Sequence, residues 1–309
     1  AAGGNAYDAS IAVAFALAVV LPRAGNIGGG GFMVMFDEAS NKTYSIDYRE
    51  IAPELATKDM FLATDGTVDK KRATQGILSI GVPGTVYGMW EVHQKFGSLP
   101  WSQLLAPAIK LAESGFLMSP FMADALNKRY SKLSSYSNFK RIFYAEYPVQ
   151  MHQMLQQKNL AKTLKAISAK GTKGFYEGSV AETIDSYMKK NGGLITKKDL
   201  KNYRPVWRDT LKGNYRQHEI VTMGPPSSGG IHIIQMLNIL EEYNLVAMGH
   251  NSPTYTALLT ESMKYAYADR SEYLGDPSFF DVPVNSLISK AYAKQINKKI
   301  KLNVITPSD

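Results

Sequence analysis

Arg49 is the residue best suited to ligand chemistry in this chain. It stands in Asp47-Tyr48-Arg49-Glu50, shortly after a glycine run, Gly25-Asn26-Ile27-Gly28-Gly29-Gly30-Gly31, and its segment is stopped by Pro53. A guanidinium offers a planar fork of donors matched to a carboxylate, and Asp47 and Glu50 beside it could orient that fork. The competing reading is an internal ion pair, the commoner fate of an arginine among acids at a strand end. The glycines mark backbone that must be bare, but they do not make a phosphate loop. Gly31 is followed by Phe32-Met33-Val34-Met35-Phe36, which lacks the lysine and hydroxyl of a P-loop. The run also follows a helical pattern and opens a strand, the reverse of the dinucleotide fingerprint.

Other candidates divide between chemistry and capping. Pro225-Pro226-Ser227-Ser228-Gly229-Gly230 leads into a helix, so its amides and hydroxyls suit either an anion or oxyanion site or a simple helix cap. It does not match the Gly-x-Ser-x-Gly nucleophile elbow. Ser137-Asn138-Phe139-Lys140 has the Ser-x-x-Lys spacing by chance, in a polar stretch without the motifs that accompany it in acyl-enzymes. Asp269, Glu272, Asp276 and Asp281 suit a hard cation or, more simply, capping and pairing with Arg270; calcium-loop spacing is absent. His93, His152, His218, His232 and His250 lie far apart, without metal-ligand spacing, and no metal or cofactor is expected. The chain thus offers binding elements and no convincing nucleophile.

The elements that must position these residues are mostly helical. An apolar stretch, Asn5 to Leu21, reads as a buried helix stopped by Pro22; its eleven-residue apolar core, Ile11 to Leu21, is too short for a bilayer, which needs about 20. Alternation in Phe32 to Phe36 and Tyr44 to Tyr48 predicts a hairpin reaching Arg49. A turn at Gly81-Val82-Pro83-Gly84 precedes a helix to Phe96, a second helix spans about Trp101 to Ser114, and the region from Asn159 to Tyr203 is helical. A second hairpin is expected over Val206 to Met223, turning at Gly213-Asn214, before helices at Gly230–Tyr243, Pro253–Tyr273 and Asn285–Ile300. Four to six strands is little sheet for so many helices. With no linker or repeat, 1–309 reads as one domain.

Composition narrows the class. The 309 residues are 45% apolar and 20% charged, an ordinary globular balance that indicates neither disorder nor a membrane span. The net charge of +8 is spread over small clusters such as Lys70-Lys71-Arg72 and Lys298 to Lys301, a poor footprint for nucleic acid. The absence of cysteine excludes disulfides, thiolate metal sites and a cysteine nucleophile in this chain. No signal-peptide pattern is visible, and Ala1-Ala2-Gly3-Gly4-Asn5 reads as a start inside a domain.

Several segments, taken in order, are similar to the γ-glutamyltranspeptidase family, also called glutathione hydrolases. They are Gly3-Gly4-Asn5-Ala6-Tyr7-Asp8-Ala9, Gly25 to Phe32, Asp47-Tyr48-Arg49-Glu50 with Ala52-Pro53, Gly81-Val82-Pro83-Gly84-Thr85, Gly174-Phe175-Tyr176, Pro225 to Gly230, and Ala266-Tyr267-Ala268-Asp269-Arg270. The resemblance implies an α+β fold, the αββα sandwich of N-terminal nucleophile hydrolases, built from a precursor that cuts itself into two subunits. It implies that this chain is the large subunit, that Asp309 is the processing junction, and that the catalytic threonine opens the separate small subunit. Arg49 then holds the α-carboxylate of the γ-glutamyl group, Glu50 supports it, and no catalytic residue lies in this chain. The expected partners are the small subunit and γ-glutamyl compounds such as glutathione, and the expected location is periplasmic or secreted. Family members hydrolyse glutathione, transfer its glutamyl group, or act on poly-γ-glutamate or cephalosporin side chains. The alternative reading is a periplasmic amino-acid or peptide binding protein clamping its ligand with Arg49.

Overall fold

The first helix shows how local sequence builds the frame. Asn5 caps Ala6–Val20 by accepting from the Asp8 N–H at 2.9 Å, while the Asp8 carboxylate accepts from the Asn5 N–H at 3.0 Å. Ile11, Phe15 and Val19 recur every four residues on one face, and burying each contributes about 1.5–3 kcal/mol. Asp8 is itself buried and reaches out of the helix to accept from the Ser98 N–H, the Ser98 hydroxyl and the Leu99 N–H. Burial alone would raise its carboxyl, but these bonds hold it below the ordinary value of 3.8.

This computed structural model describes residues 3–302 and Val304. The chain divides into two compact units, one of Ala1–Gly31 and Tyr48–Pro205, the other of Phe32–Asp47 and Val206–Asp309. The described residues hold seven strands: β1 (Phe32–Asp37), β2 (Lys42–Asp47), β3 (Phe116–Leu117), β4 (Met154–Leu155), β5 (Val206–Arg208), β6 (Thr210–Tyr215) and β7 (His218–Met223).

In the first unit, Trp101–Ser114 packs between Ala6–Val20 and Lys158–Lys170. Trp101 meets Phe15 edge-on at 5.5 Å and donates its indole N–H to the Ile167 carbonyl at 3.0 Å, so the ring is buried with its polar atom satisfied. Short β3 and β4 pair antiparallel beside a smaller cluster of Met118, Met122, Leu126 and Tyr144. Beyond Asn127 the chain carries two short helices, Tyr130–Leu133 and Ser137–Phe143.

In the second unit, β1, β2 and β5 form an antiparallel sheet in that order, and β6 and β7 form a separate hairpin. The helix Gly229–Leu240 packs against β6, Pro253–Tyr273 and Lys290–Asn297. Three sequence expectations fail here, and the first is the single helix at Asn285–Ile300, which is broken into Val284–Leu287 and Lys290–Asn297. The second hairpin turns at Arg216-Gln217, both at positive φ, and not at Gly213-Asn214. Val206–Arg208 leaves that hairpin and pairs with β2 instead. Gly213 lies within β6, where an added Cβ would stand 2.8 Å from the Ile234 side chain, so its glycine serves packing against the helix.

Candidate functional site: a glycine cradle around Arg49

β2 ends at Asp47, so Arg49 lies beyond the strand, and its backbone is fixed by other means. Within the first unit, the Tyr48 N–H donates to the Gly31 carbonyl at 2.9 Å and the Gly31 N–H returns to the Tyr48 carbonyl at 3.3 Å. On the other side, Ile51 and Val82 exchange both backbone bonds, at 3.3 and 2.8 Å. Between these anchors the Arg49 carbonyl accepts from the Tyr203 hydroxyl at 2.9 Å. The side chains of Arg49 and Glu50 are exposed, so the cation is presented on a backbone held at three points.

Glycines make this arrangement fit. A Cβ on Gly30 would stand 2.4 Å from the Tyr48 carbonyl oxygen, 2.7 Å from the Glu50 nitrogen and 2.8 Å from the Arg49 Cα. One on Gly84 would meet the Tyr48 carbonyl at 2.0 Å and the Tyr203 hydroxyl at 2.1 Å, and one on Gly88 would enter the Tyr48 ring at 2.3 Å. Gly81 abuts Glu50 in the same way, its Cβ falling 2.8 Å from the Glu50 Cβ. The turn at Gly81 to Gly84 and the first turn of the helix Thr85–Phe96 therefore form a bare wall along Tyr48-Arg49-Glu50. The wall shuts water away from Tyr48, whose phenol is raised above its ordinary value by burial. The bareness expected of the glycine run is real. Sequence reasoning missed its partners, Tyr48, Gly84, Gly88 and Tyr203; the only local signal is the spacing of Gly81, Gly84 and Gly88, which clears one face of a helix start.

The other sequence candidates take structural places. Asp47 accepts at one oxygen from both the Nε and an Nη of Arg208, each at 2.9 Å, a half-buried pair across β2 and β5. Ser228 precedes the helix Gly229–Leu240 without capping it and accepts from the Arg270 Nε at 3.3 Å. The Ser227 hydroxyl accepts from the Gly229 N–H at 3.3 Å. Ser137 and Lys140 are exposed. Asp269 is buried and accepts from Gln235 and, at 2.9 Å, from the Tyr292 hydroxyl, while Glu272, Asp276 and Asp281 are exposed. Burial and the bond to Asp269 push the Tyr292 phenol up to about 12. Among the described residues no group of three or more His, Asp or Glu is placed to hold a metal ion. Asp309 lies outside the described residues.

The γ-glutamyltranspeptidase family model matches residues 1–309. The chain belongs to that family. The glutathione hydrolase proenzyme of Escherichia coli strain K12 is 47% identical over 308 residues, covering 99% of this chain and 53% of that protein. The crystal structure of Helicobacter pylori γ-glutamyltranspeptidase superposes with a TM-score of 0.96 at 48% identity, over 99% of this chain and 88% of that one. A γ-glutamyltranspeptidase from Pseudomonas nitroreducens, complexed with L-DON, superposes with a TM-score of 0.93 at 40% identity, over 99% and 90%. The fold is therefore α+β, of the N-terminal nucleophile hydrolase class shared by these enzymes. The chain spans about half the length of the curated relatives it matches. Among the described residues, no helix is long and apolar enough to cross a membrane.

Proposed function

We propose that this chain is the large subunit of an autoprocessed γ-glutamyltranspeptidase that cleaves the γ-glutamyl amide of glutathione and related compounds. The single observation that carries this is the family match over 1–309; Arg49 is assigned on the resemblance of Asp47-Tyr48-Arg49-Glu50 to a segment of that family. The cradle supports it, because an exposed guanidinium on an immobilised backbone is what recognition of a small carboxylate requires. The relatives above are enzymes by name and lend nothing to the binding-protein reading.

In this reading a threonine at the start of a separate small subunit attacks the γ-carbonyl, with its own α-amine as base and backbone amides stabilising the oxyanion. The α-amine returns the hydroxyl proton to the amide nitrogen as the C–N bond breaks and the amine leaves. The acyl-enzyme then passes its γ-glutamyl group to water or to an amino acid, freeing the threonine. This chain contributes substrate placement: Arg49 pairs with the α-carboxylate of the glutamyl group, and Glu50 beside it helps set the fork. Asp309 is the processing junction, 1–309 acts as one domain of a heterodimer, and the enzyme works in the periplasm or outside the cell. The single-domain reading is supported by the connectivity, since the chain passes between its two units at Gly31–Phe32, Asp47–Tyr48 and Pro205–Val206.

A charge-assisted pair contributes about 1.5–3 kcal/mol, or about 10- to 150-fold in affinity. Arg49→Ala in the full-length, processed enzyme should therefore raise KM for γ-glutamyl substrates by that factor, with a smaller effect on kcat. An unchanged KM removes Arg49 from the site.

A further inference from the structure

We propose that Tyr203 is a positioning residue for substrate binding, acting through the Arg49 carbonyl to set where the guanidinium stands. The inference rests on Arg49 being the carboxylate clamp and adds to it the residue that aims the clamp.

Tyr203 is only 1% exposed, and its hydroxyl, 154 residues further along the chain, donates to the Arg49 carbonyl at 2.9 Å. That carbonyl lies between the Gly31–Tyr48 and Ile51–Val82 backbone bonds, so the peptide bearing Arg49 is the part of the segment those bonds do not hold. The ring that supplies the hydroxyl is itself locked. It stacks on Tyr176 at 5.8 Å with planes 5° apart, and the Tyr176 hydroxyl donates to the Pro83 carbonyl at 2.8 Å. The Tyr203 N–H bonds to the Asp199 and Leu200 carbonyls, at the end of the helix Lys197–Asn202. Asp199 in turn caps that helix and accepts from the Glu54 N–H at 2.8 Å, which ties the same helix to the chain just beyond Arg49.

A buried tyrosine needs some acceptor for its hydroxyl, and any nearby carbonyl would satisfy that need. What distinguishes Tyr203 is the choice of acceptor and the space made for it. Gly84 leaves no side chain where the hydroxyl stands, since a Cβ there would lie 2.1 Å from it. A guanidinium several bonds from its Cα amplifies small rotations of its peptide, so fixing that peptide narrows where the fork can stand.

The test uses the full-length, processed enzyme with two substrates, a γ-glutamyl amide and the corresponding 4-aminobutanoyl amide, which lacks the α-carboxylate. Tyr203→Phe keeps the ring and its stack and removes only the hydroxyl. The expected result is a rise of about 2- to 10-fold in KM for the γ-glutamyl amide, the size of one lost hydrogen bond, with kcat within about twofold. KM for the 4-aminobutanoyl amide should stay unchanged, and Tyr203→Phe should add nothing in an Arg49→Ala background. Tyr144→Phe is the matched control, because it also loses a buried hydroxyl, bonded to the Leu126 carbonyl at 2.8 Å, in the cluster beside β3 and β4; its KM should equal wild type. Equal KM changes on both substrates, an equal effect of Tyr144→Phe, or a lowered melting temperature with unchanged kinetics would each overturn the proposal in favour of a core role. If Arg49→Ala raises KM while Tyr203→Phe does not, the proposal alone fails. If Arg49→Ala leaves KM unchanged, the clamp reading fails and takes the proposal with it.

Discussion

Gly28 and Gly30 sit two residues apart in one glycine run, yet the structure assigns them opposite tolerances to a methyl group. At Gly30 the added Cβ falls 2.4 Å from the Tyr48 carbonyl oxygen, 2.7 Å from the Glu50 nitrogen and 2.8 Å from the Arg49 Cα. All three are backbone atoms, so no side-chain rotation relieves the contact. Opening 2.4 Å to an ordinary contact near 3.5 Å requires the Arg49 segment to retreat by about 1 Å. Overpacking of this kind costs about 1–3 kcal/mol, which corresponds to a melting temperature lower by roughly 2–12 °C. An error of about 1 Å in a positioning group reaches 10²-fold in activity, so KM for a γ-glutamyl amide should rise at least about tenfold. At Gly28 the nearest atom is the Asn26 Oδ1 at 3.8 Å, an ordinary contact, and the backbone is not left-handed. Gly28→Ala should therefore keep wild-type KM within about twofold, and loss of unfolded-chain freedom should stabilise it by about 0.4–1 kcal/mol. Thermal unfolding and steady-state kinetics on the two alanine variants decide the matter. Equal losses from both, or a Gly30→Ala enzyme that melts and binds like wild type, would refute the cradle as the reason for the run.

Two further predictions concern stability and pH. Asp8→Asn should cost about 2–4 kcal/mol, because the new amide NH2 faces the N–H and hydroxyl donors of Ser98 and Leu99 that the carboxylate accepts. The Asp8 carboxyl is held below 3.8, so its contribution is complete above that pH and is lost as pH falls through its lower folded value; melting curves of Asp8→Asn should lack this acid-side slope. His232 is 7% exposed, and burial together with Arg270 lowers its imidazole below 6.5, against a smaller opposing pull from Asp269. The unfolded chain then takes up a proton first, so stability should decline as pH drops below 6.5 until the folded value is passed, and His232→Gln should flatten that decline. An NMR titration placing His232 at or above 6.5 would contradict this.

Much of the frame was legible because its signals are local. Trp101–Ser114 follows Pro100 and stops at Gly115, at φ 89°, and Pro253–Tyr273 begins after a Ser252 side-chain cap; both match their expected spans. The hairpin turn is displaced from its expected place because Gly213-Asn214 carries turn chemistry, while the register is set by the face β6 buries against the helix Gly229–Leu240, with Gly213 making room for Ile234. In sequence Asp47 is a neighbour for Arg49, but in the fold it bonds Arg208, which is 161 residues away and reaches it through the pairing of β2 with β5. Tyr203 is invisible in the sequence for the same reason. No periodicity or motif near Arg49 points to a hydroxyl 154 residues further on.

The chain path explains why the site tolerates such distant support. From Gly31 the chain leaves the first unit for the hairpin of β1 and β2, and it returns at Tyr48, one residue before Arg49. Gly31 and Tyr48 are the two ends of that excursion and are tied by a reciprocal pair of backbone bonds. The closure leaves Arg49 referenced to its own unit: to Gly31 behind it, to Val82 ahead of it and to Tyr203 at its carbonyl. Each tie needs a close approach that a side chain on Gly30 or Gly84 would block. The glycines and the tyrosine are thus parts of one device, in which bare backbone admits the groups that immobilise a single exposed cation.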